Sequence, residues 1–96
     1  MKQKAWRSQS YIDWVKLQPC SICSVVPAMD AHHIRGVGGL GGMALKAPDQ
    51  YTMPLCRPCH TEMHHTHDTA KLLEQWEWVA RTLGEAVSAR VLCIKK

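Results

Sequence analysis

Between residues 68 and 84 apolar side chains return every three or four positions: Leu72, Trp76, Val79 and Leu83, with Leu73 and Ala80 beside them. That period gathers them on one face of an amphipathic helix, with Asp68 as its N-cap and Gly84 as its terminator. The stripe reads as core, not as a cofactor site. A shorter helix is predicted by "SYIDWVKLQP", residues 10–19, where Ser10 is the candidate N-cap and Asp13 follows three residues on. Tyr11, Trp14 and Val15 share one face there, and Pro19 stops the helix.

Two segments lack the helical period and fit short strands. Ala31 to Arg35 is the first, and "YTMPLC", apolar at Met53 and Leu55, is the second and delivers Cys56 at its end. Five glycines in the seven residues 36–42 hold no regular element, so this stretch is predicted to be a loop joining the strands. It resembles a phosphate-binding loop only superficially, because no Gly-Lys-Ser/Thr follows the glycines. A third helix begins within "CRPCH", and "EAVSARVLCIKK" fits helix and strand equally well. The elements together predict a small α+β fold, with a helix before the strands and a helix after them.

The chain has 96 residues, which fits one compact domain with a small core. Domains of this size often lean on a bound metal or an oligomer interface. No apolar run approaches the roughly eighteen residues of a membrane span, and the start "MKQKAWRSQSYIDW" has no apolar region behind its basic residues. A cytoplasmic protein is the expectation. Four of the five cysteines fall in two CxxC pairs, which fits metal binding in a reducing compartment better than a disulfide framework. Cys93, the fifth, reads as a small apolar residue. The formal charge of +4 is compatible with nucleic acid without establishing it, and a four-thiolate zinc site would remove about two of those charges. Lys2, Lys4 and Arg7 around Trp6 read better as a frayed, solvated terminus than as a phosphate-tracking arm.

Cys20, Cys23, Cys56 and Cys59 form pairs 32 residues apart. Two residues between cysteines make a tight turn that points both sulfurs inward, and two such knuckles complete a tetrahedron. A zinc held this way is structural, with no open coordination position. The histidines need a separate explanation, since residues 56–67 hold four of them beside the two cysteines. His60 and His64 lie four apart on the predicted helix and face the same side, as a two-histidine metal clamp requires. The run is not the HExxH of metalloproteases, because Glu62 stands two residues after the first histidine and points away from the ligand face. His32 and His33 are consecutive on a strand and point to opposite faces, so they take different roles. His65 and His67 are either alternative ligands or solvated surface histidines, and the solvated reading is the better one.

Read together, CxxC, "AHHIRG", a Gly-rich loop and "PLCRPCHTEMH" resemble the HNH endonuclease superfamily, whose catalytic unit is a ββα-metal finger. The likeness covers roughly residues 19–65, within a single nuclease domain of residues 1–96. The wider layout, from "YIDWVKLQPCSIC" to "KAPDQYTMPLCRPCH", is similar to the branch of Ref and YbcO-type recombination nucleases of phages and prophages. The resemblance implies a small zinc-stabilised HNH domain in which His33 is the general base and His32, His60 and His64 bind the catalytic metal. It implies Mg²⁺ or Mn²⁺ as that metal, although three nitrogen ligands also suit Zn²⁺. The family's middle asparagine has no counterpart, since the chain contains none; Asp49 is the nearest candidate, as orienting residue or ligand. Arg35 and Arg57 lie close to the ligands in sequence and are candidate phosphate contacts.

The function so implied is a metal-dependent DNA endonuclease with little sequence preference, acting in phage or prophage recombination. DNA is then the partner, a host recombinase filament is a further one, and both monomer and dimer are compatible with the chain. The rival reading is a non-catalytic zinc module that binds nucleic acid or protein. Such a module needs the four cysteines but neither the histidine pair nor the HxxxH run.

Overall fold

The computed structural model describes residues 6–34, 48–66 and 68–92. Along the chain these form α1 (Gln9–Lys16), β1 (Asp30–His33), β2 (Thr52–Leu55), α2 (Arg57–His65) and α3 (Thr69–Ser88). The result is an α+β arrangement of a two-stranded sheet and three helices. Among the described residues no helix is long and apolar enough to cross a membrane. Arg35, the Gly-rich stretch that follows it, and Cys93 lie outside the described residues.

Helix α1 starts two residues earlier than the sequence pattern predicts. Ser8, not Ser10, is the N-cap, with its hydroxyl accepting from the Tyr11 amide at 3.2 Å. Extended backbone at Ser8 frees its own N–H for the Asp49 carboxylate, a long-range partner at 2.8 Å that a local pattern does not reveal. At the other end, Leu17 and Gln18 amides return to Trp14 and Val15 carbonyls before Pro19. Tyr11 and Val15 are buried, while Trp14 is only half-buried.

After Pro19 the first CxxC turn closes on itself. The Ser24 amide donates to the Cys20 carbonyl and the Cys20 amide to the Val25 carbonyl, each at 2.9 Å, with Ser24 in the left-handed region at φ 67°. The Ser21 amide then reaches the Pro54 carbonyl at 2.9 Å, fastening this turn to β2. Pro54 has no N–H to give, yet its carbonyl serves this contact outside the ladder. β1 and β2 pair antiparallel with Asp30 opposite Leu55, Ala31 opposite Pro54, His32 opposite Met53 and His33 opposite Thr52.

The apolar side chains close into two clusters bridged by Leu83. Cys20, Ala28, Ile34, Met53, Leu55, Met63 and Val79 form the larger one, between the sheet, α2 and α3. Tyr11, Val15 and Ala86 form the smaller, between α1 and the end of α3. This second cluster explains why Gly84 does not end α3. Burying Ala86 completely against α1 outweighs the roughly 1 kcal/mol that a helical glycine costs. The helix therefore runs to Ser88 and is closed by Val91 and Leu92 amides on the Ala86 carbonyl. Asp68 caps the other end, accepting from the Ala70 amide at 2.9 Å.

The buried face of α3 is also rotated from the predicted one. Gln75, Val79, Thr82 and Ala86 are its buried residues, with Trp76 and Leu83 partly covered. Leu73 stays 57% exposed and Ala80 is exposed. The two polar members are satisfied internally: Thr82 donates to the Trp78 carbonyl at 2.8 Å, and Gln75 bonds to Leu72 and His32. Truncation at the two kinds of position should differ accordingly. Leu55→Ala should cost about 2–5 kcal/mol in urea unfolding, whereas Leu73→Ala should stay within about 0.5 kcal/mol; equal losses would contradict this placement of the core.

Candidate metal centres and the histidine pair

Four sulfurs meet where the first knuckle faces the β2–α2 junction. The Sγ atoms of Cys20, Cys23, Cys56 and Cys59 all lie within 4.8 Å of one another, with Cys23 and Cys56 3.5 Å apart. Cys56 stands at the N-cap of α2 but makes no capping bond, so its sulfur is left for the cluster. Such spacing suits tetrahedral zinc, whose bonds of about 2.3 Å imply sulfurs about 3.8 Å apart. Crowding also divides the protons unevenly. Burial pushes Cys20 up, but the amides of Cys23, Cys56 and Ile22 outweigh it and bring the thiol down to about 6. Burial and the neighbouring Cys56 and Cys20 sulfurs push Cys59 well up. The Val25 amide pulls Cys23 down, yet contact with Cys56 and Cys20 leaves it raised. A divalent cation relieves this conflict by accepting all four sulfurs as thiolates. The cluster can hold a metal such as zinc.

A second group lies one residue further along. His60 and His64 sit one turn apart on α2, and His32 reaches them from β1, so that donor atoms of all three imidazoles lie within 4.8 Å. The two helical Nε2 atoms are 3.0 Å apart, close to the roughly 3.3 Å that two nitrogen ligands on one tetrahedral zinc would show. His32 is fully buried, His60 partly so and His64 exposed, which leaves the group open on one side.

Each inner imidazole has one nitrogen held by the protein. His60 Nδ1 donates to Asp30 Oδ2 at 3.0 Å, and Arg57 pairs with the same carboxylate at 3.1 Å. His32 Nε2 lies 2.9 Å from Gln75 Oε1, while its Nδ1 is buried without a hydrogen-bond partner among the described residues. Burial, aided by the nearby His60 and His64 and opposed by Gln75, lowers His32 to about 4. The ring is therefore neutral at pH 7, as a metal ligand must be. A buried, unpartnered nitrogen beside two further imidazoles fits a borderline divalent cation.

His33 points to the other side of β1. Its Nε2 lies 2.8 Å from Asp49 Oδ1. That oxygen also accepts from Arg7 at 3.2 Å, while Oδ2 accepts from the Ser8 amide at 2.8 Å. The Asp49 amide donates to the Trp6 carbonyl, and Thr52 Oγ1 to the Asp49 carbonyl. Asp49 thus stands beside His33 and outside the three-histidine group. Residues 6–8 are pinned to it, so the reading of this segment as a frayed terminus does not hold for them; Lys2 and Lys4 lie outside the described residues. Arg57 is 81% exposed in its side chain and engaged with Asp30. His65 is exposed, and His67 lies outside the described residues.

Asp30, Gln75, Arg7 and Ser8 did not emerge from the sequence as site residues. Two left a trace there. Asp30 lies two positions before His32 and so on the same strand face, and Gln75 interrupts the apolar stripe of α3 between Leu72 and Val79.

Removing the metal and removing a carboxylate should act differently. Cys59→Ser should weaken the sulfur-to-cobalt charge-transfer absorption that Co²⁺ gives on four thiolates, since one of the four sulfurs is lost, and strong chelators should lower the melting temperature of the parent. An unchanged spectrum in Cys59→Ser would exclude the four-sulfur centre. At Asp49, burial raises the carboxyl's pKa, but bonds from His33, Ser8 and Arg7 overcome this and leave it lowered. A depressed carboxylate contributes stability above its unfolded pKa of about 3.9, lost as pH falls through the folded value. Asp49→Asn should therefore flatten the acid limb of the stability–pH curve below about pH 4; a limb as steep as the parent's would exclude this contribution.

No solved structure matches the chain. Among curated proteins it is similar to "Uncharacterized protein YdfU" of Escherichia coli (strain K12), at 42% identity over 94 residues. The match covers 95% of this chain and 26% of the Escherichia coli protein, so the chain spans about a quarter of that relative's length. The family described as "Protein of unknown function (DUF968)" matches residues 1–89, a stretch that contains both CxxC pairs, the His32–His33 pair and the HxxxH run, and the chain belongs to that family.

Proposed function

We propose that this protein is a metal-dependent endodeoxyribonuclease of the HNH type, with β1, β2 and α2 as its ββα-metal finger. One observation carries the reading: consecutive residues His32 and His33 are divided between a buried imidazole trio and a carboxylate-bound imidazole. That division provides a place for a cation and a place for a base on the two faces of one strand. A zinc module that only binds a partner needs the sulfur cluster and gains nothing from this second arrangement.

His32, His60 and His64 would hold the cation, Mg²⁺ or Mn²⁺ with Zn²⁺ as a possible occupant, and the cation when bound would neutralise charge on the phosphate and the departing 3′-oxygen. His33 acts as general base. With its Nε2–H donated to Asp49, the Nδ1 lone pair takes a proton from water as the water oxygen bonds to phosphorus and the bond to the 3′-oxygen breaks. Asp49 orients the ring and stabilises the imidazolium formed, as a carboxylate does behind a catalytic histidine. Arg7 adds positive charge beside this pair, and Arg57 adds it beside His60. DNA is the substrate, cut with little sequence preference in the cytoplasm, and the phage or prophage setting brings a recombinase filament as partner.

Supercoiled plasmid incubated with Mg²⁺ or Mn²⁺ tests the proposal. The parent should yield nicked and linear DNA. His33→Ala should lower the rate by about 10²–10⁴-fold, and Asp49→Asn should lower it by less than that. Plasmid binding without cleavage under either metal would favour the non-catalytic module.

A further inference from the structure

We propose that Gln75, on α3 and beyond the stretch that resembles a nuclease motif, is a positioning residue that fixes the His32 tautomer so that Nδ1 is left as the donor atom for a divalent cation. The inference rests on the three-histidine group being an ion site.

The amide orientation comes first. Gln75 Nε2 donates to the Leu72 carbonyl at 2.9 Å, an acceptor that only the NH₂ end of the amide can serve. Its Oε1 therefore faces His32 Nε2 at 2.9 Å. An amide oxygen cannot donate, so His32 Nε2 carries the hydrogen and the neutral ring has its lone pair on Nδ1. That Nδ1 is buried and has no hydrogen-bond partner among the described residues. A buried acceptor left unpaired costs free energy, and an ion on Nδ1 removes that cost.

The geometry of His60 is the mirror case. There the carboxylate of Asp30 occupies Nδ1, which leaves Nε2 for the ion. The protein thus selects different nitrogens on its two inner ligands, one through a charged acceptor and one through a neutral one. A neutral acceptor suits His32, because Gln75 is fully buried and a carboxylate there would itself need a partner. α3 therefore has a part in the site besides covering the sheet.

The test uses full-length protein with cadmium on the four cysteines, whose ¹¹³Cd resonance reports an intact fold. Long-range ¹H–¹⁵N spectra of this protein should show His32 protonated on Nε2 and not on Nδ1. Gln75→Leu should lose that single tautomer and bind a second Cd²⁺ or Zn²⁺ about 10–100-fold more weakly, with the cysteine-bound cadmium unchanged. Gln75→Glu, which keeps an acceptor, should retain the tautomer and bind the second ion at least as tightly as Gln75→Leu. A parent His32 protonated on Nδ1 would overturn the proposal, as would parent affinity for the second ion in Gln75→Leu. Should the parent take up no second ion, the ion-site reading fails by itself, and the ion-binding role assigned to Gln75 fails with it while its hold on the tautomer is still read from the spectra.

Discussion

The sulfur cluster is the constraint from which the rest of this small fold follows. A two-stranded sheet with four residues in each strand cannot hold a domain together by its ladder alone. Bringing Cys20 and Cys23 to Cys56 and Cys59 ties the turn after α1 to the start of α2, across a hairpin that has its own long connection. With those ends fixed, β1 and β2 are pressed between α1 and α3, and Leu55, Met53 and Ile34 close the larger apolar cluster beside the cysteines. The Ser21–Pro54 bond reinforces the same junction with backbone atoms alone.

The parts of the fold and site that were legible in the sequence are those governed by local geometry. CxxC spacing makes a knuckle wherever it occurs, positions four apart on a helix share a face, and strand alternation separates His32 from His33. What stayed hidden depends on contacts across the chain. Gln75 meets His32 across 43 positions, Asp30 meets His60 across 30, and Ser8 meets Asp49 across 41. The displaced helix bounds have the same origin. Ser10 is as good a cap by composition as Ser8, but only Ser8 has Asp49 waiting for its amide; Gly84 is a good terminator, but Ala86 has a pocket against Tyr11 and Val15.

Asp49 deserves comparison with Asp30, because the two carboxylates treat their histidines alike from opposite sides of the sheet. Each accepts from an imidazole and from an arginine: His33 and Arg7 at Asp49, His60 and Arg57 at Asp30. In each case the carboxylate occupies one ring nitrogen and so fixes the orientation of the imidazole. Their burial differs little, yet their surroundings do: Asp49 is also tied by backbone to Trp6 and Ser8, which makes the N-terminal segment part of the His33 environment.

Helix α2 has nine residues and carries members of both clusters, with Cys59 and His60 adjacent in the chain. Adding or deleting one residue within it would turn every later side chain by about 100° around the helix axis. No side-chain substitution nearby can compensate for such a rotation, since the sulfurs fix one end of the helix and His32 fixes the direction required at the other. An insertion in the connection between β1 and β2, by contrast, leaves the phase between these cysteines and histidines untouched. The spacing from Cys56 to His64 is thus a ruler that sets the angle between the sulfur group and the imidazole group.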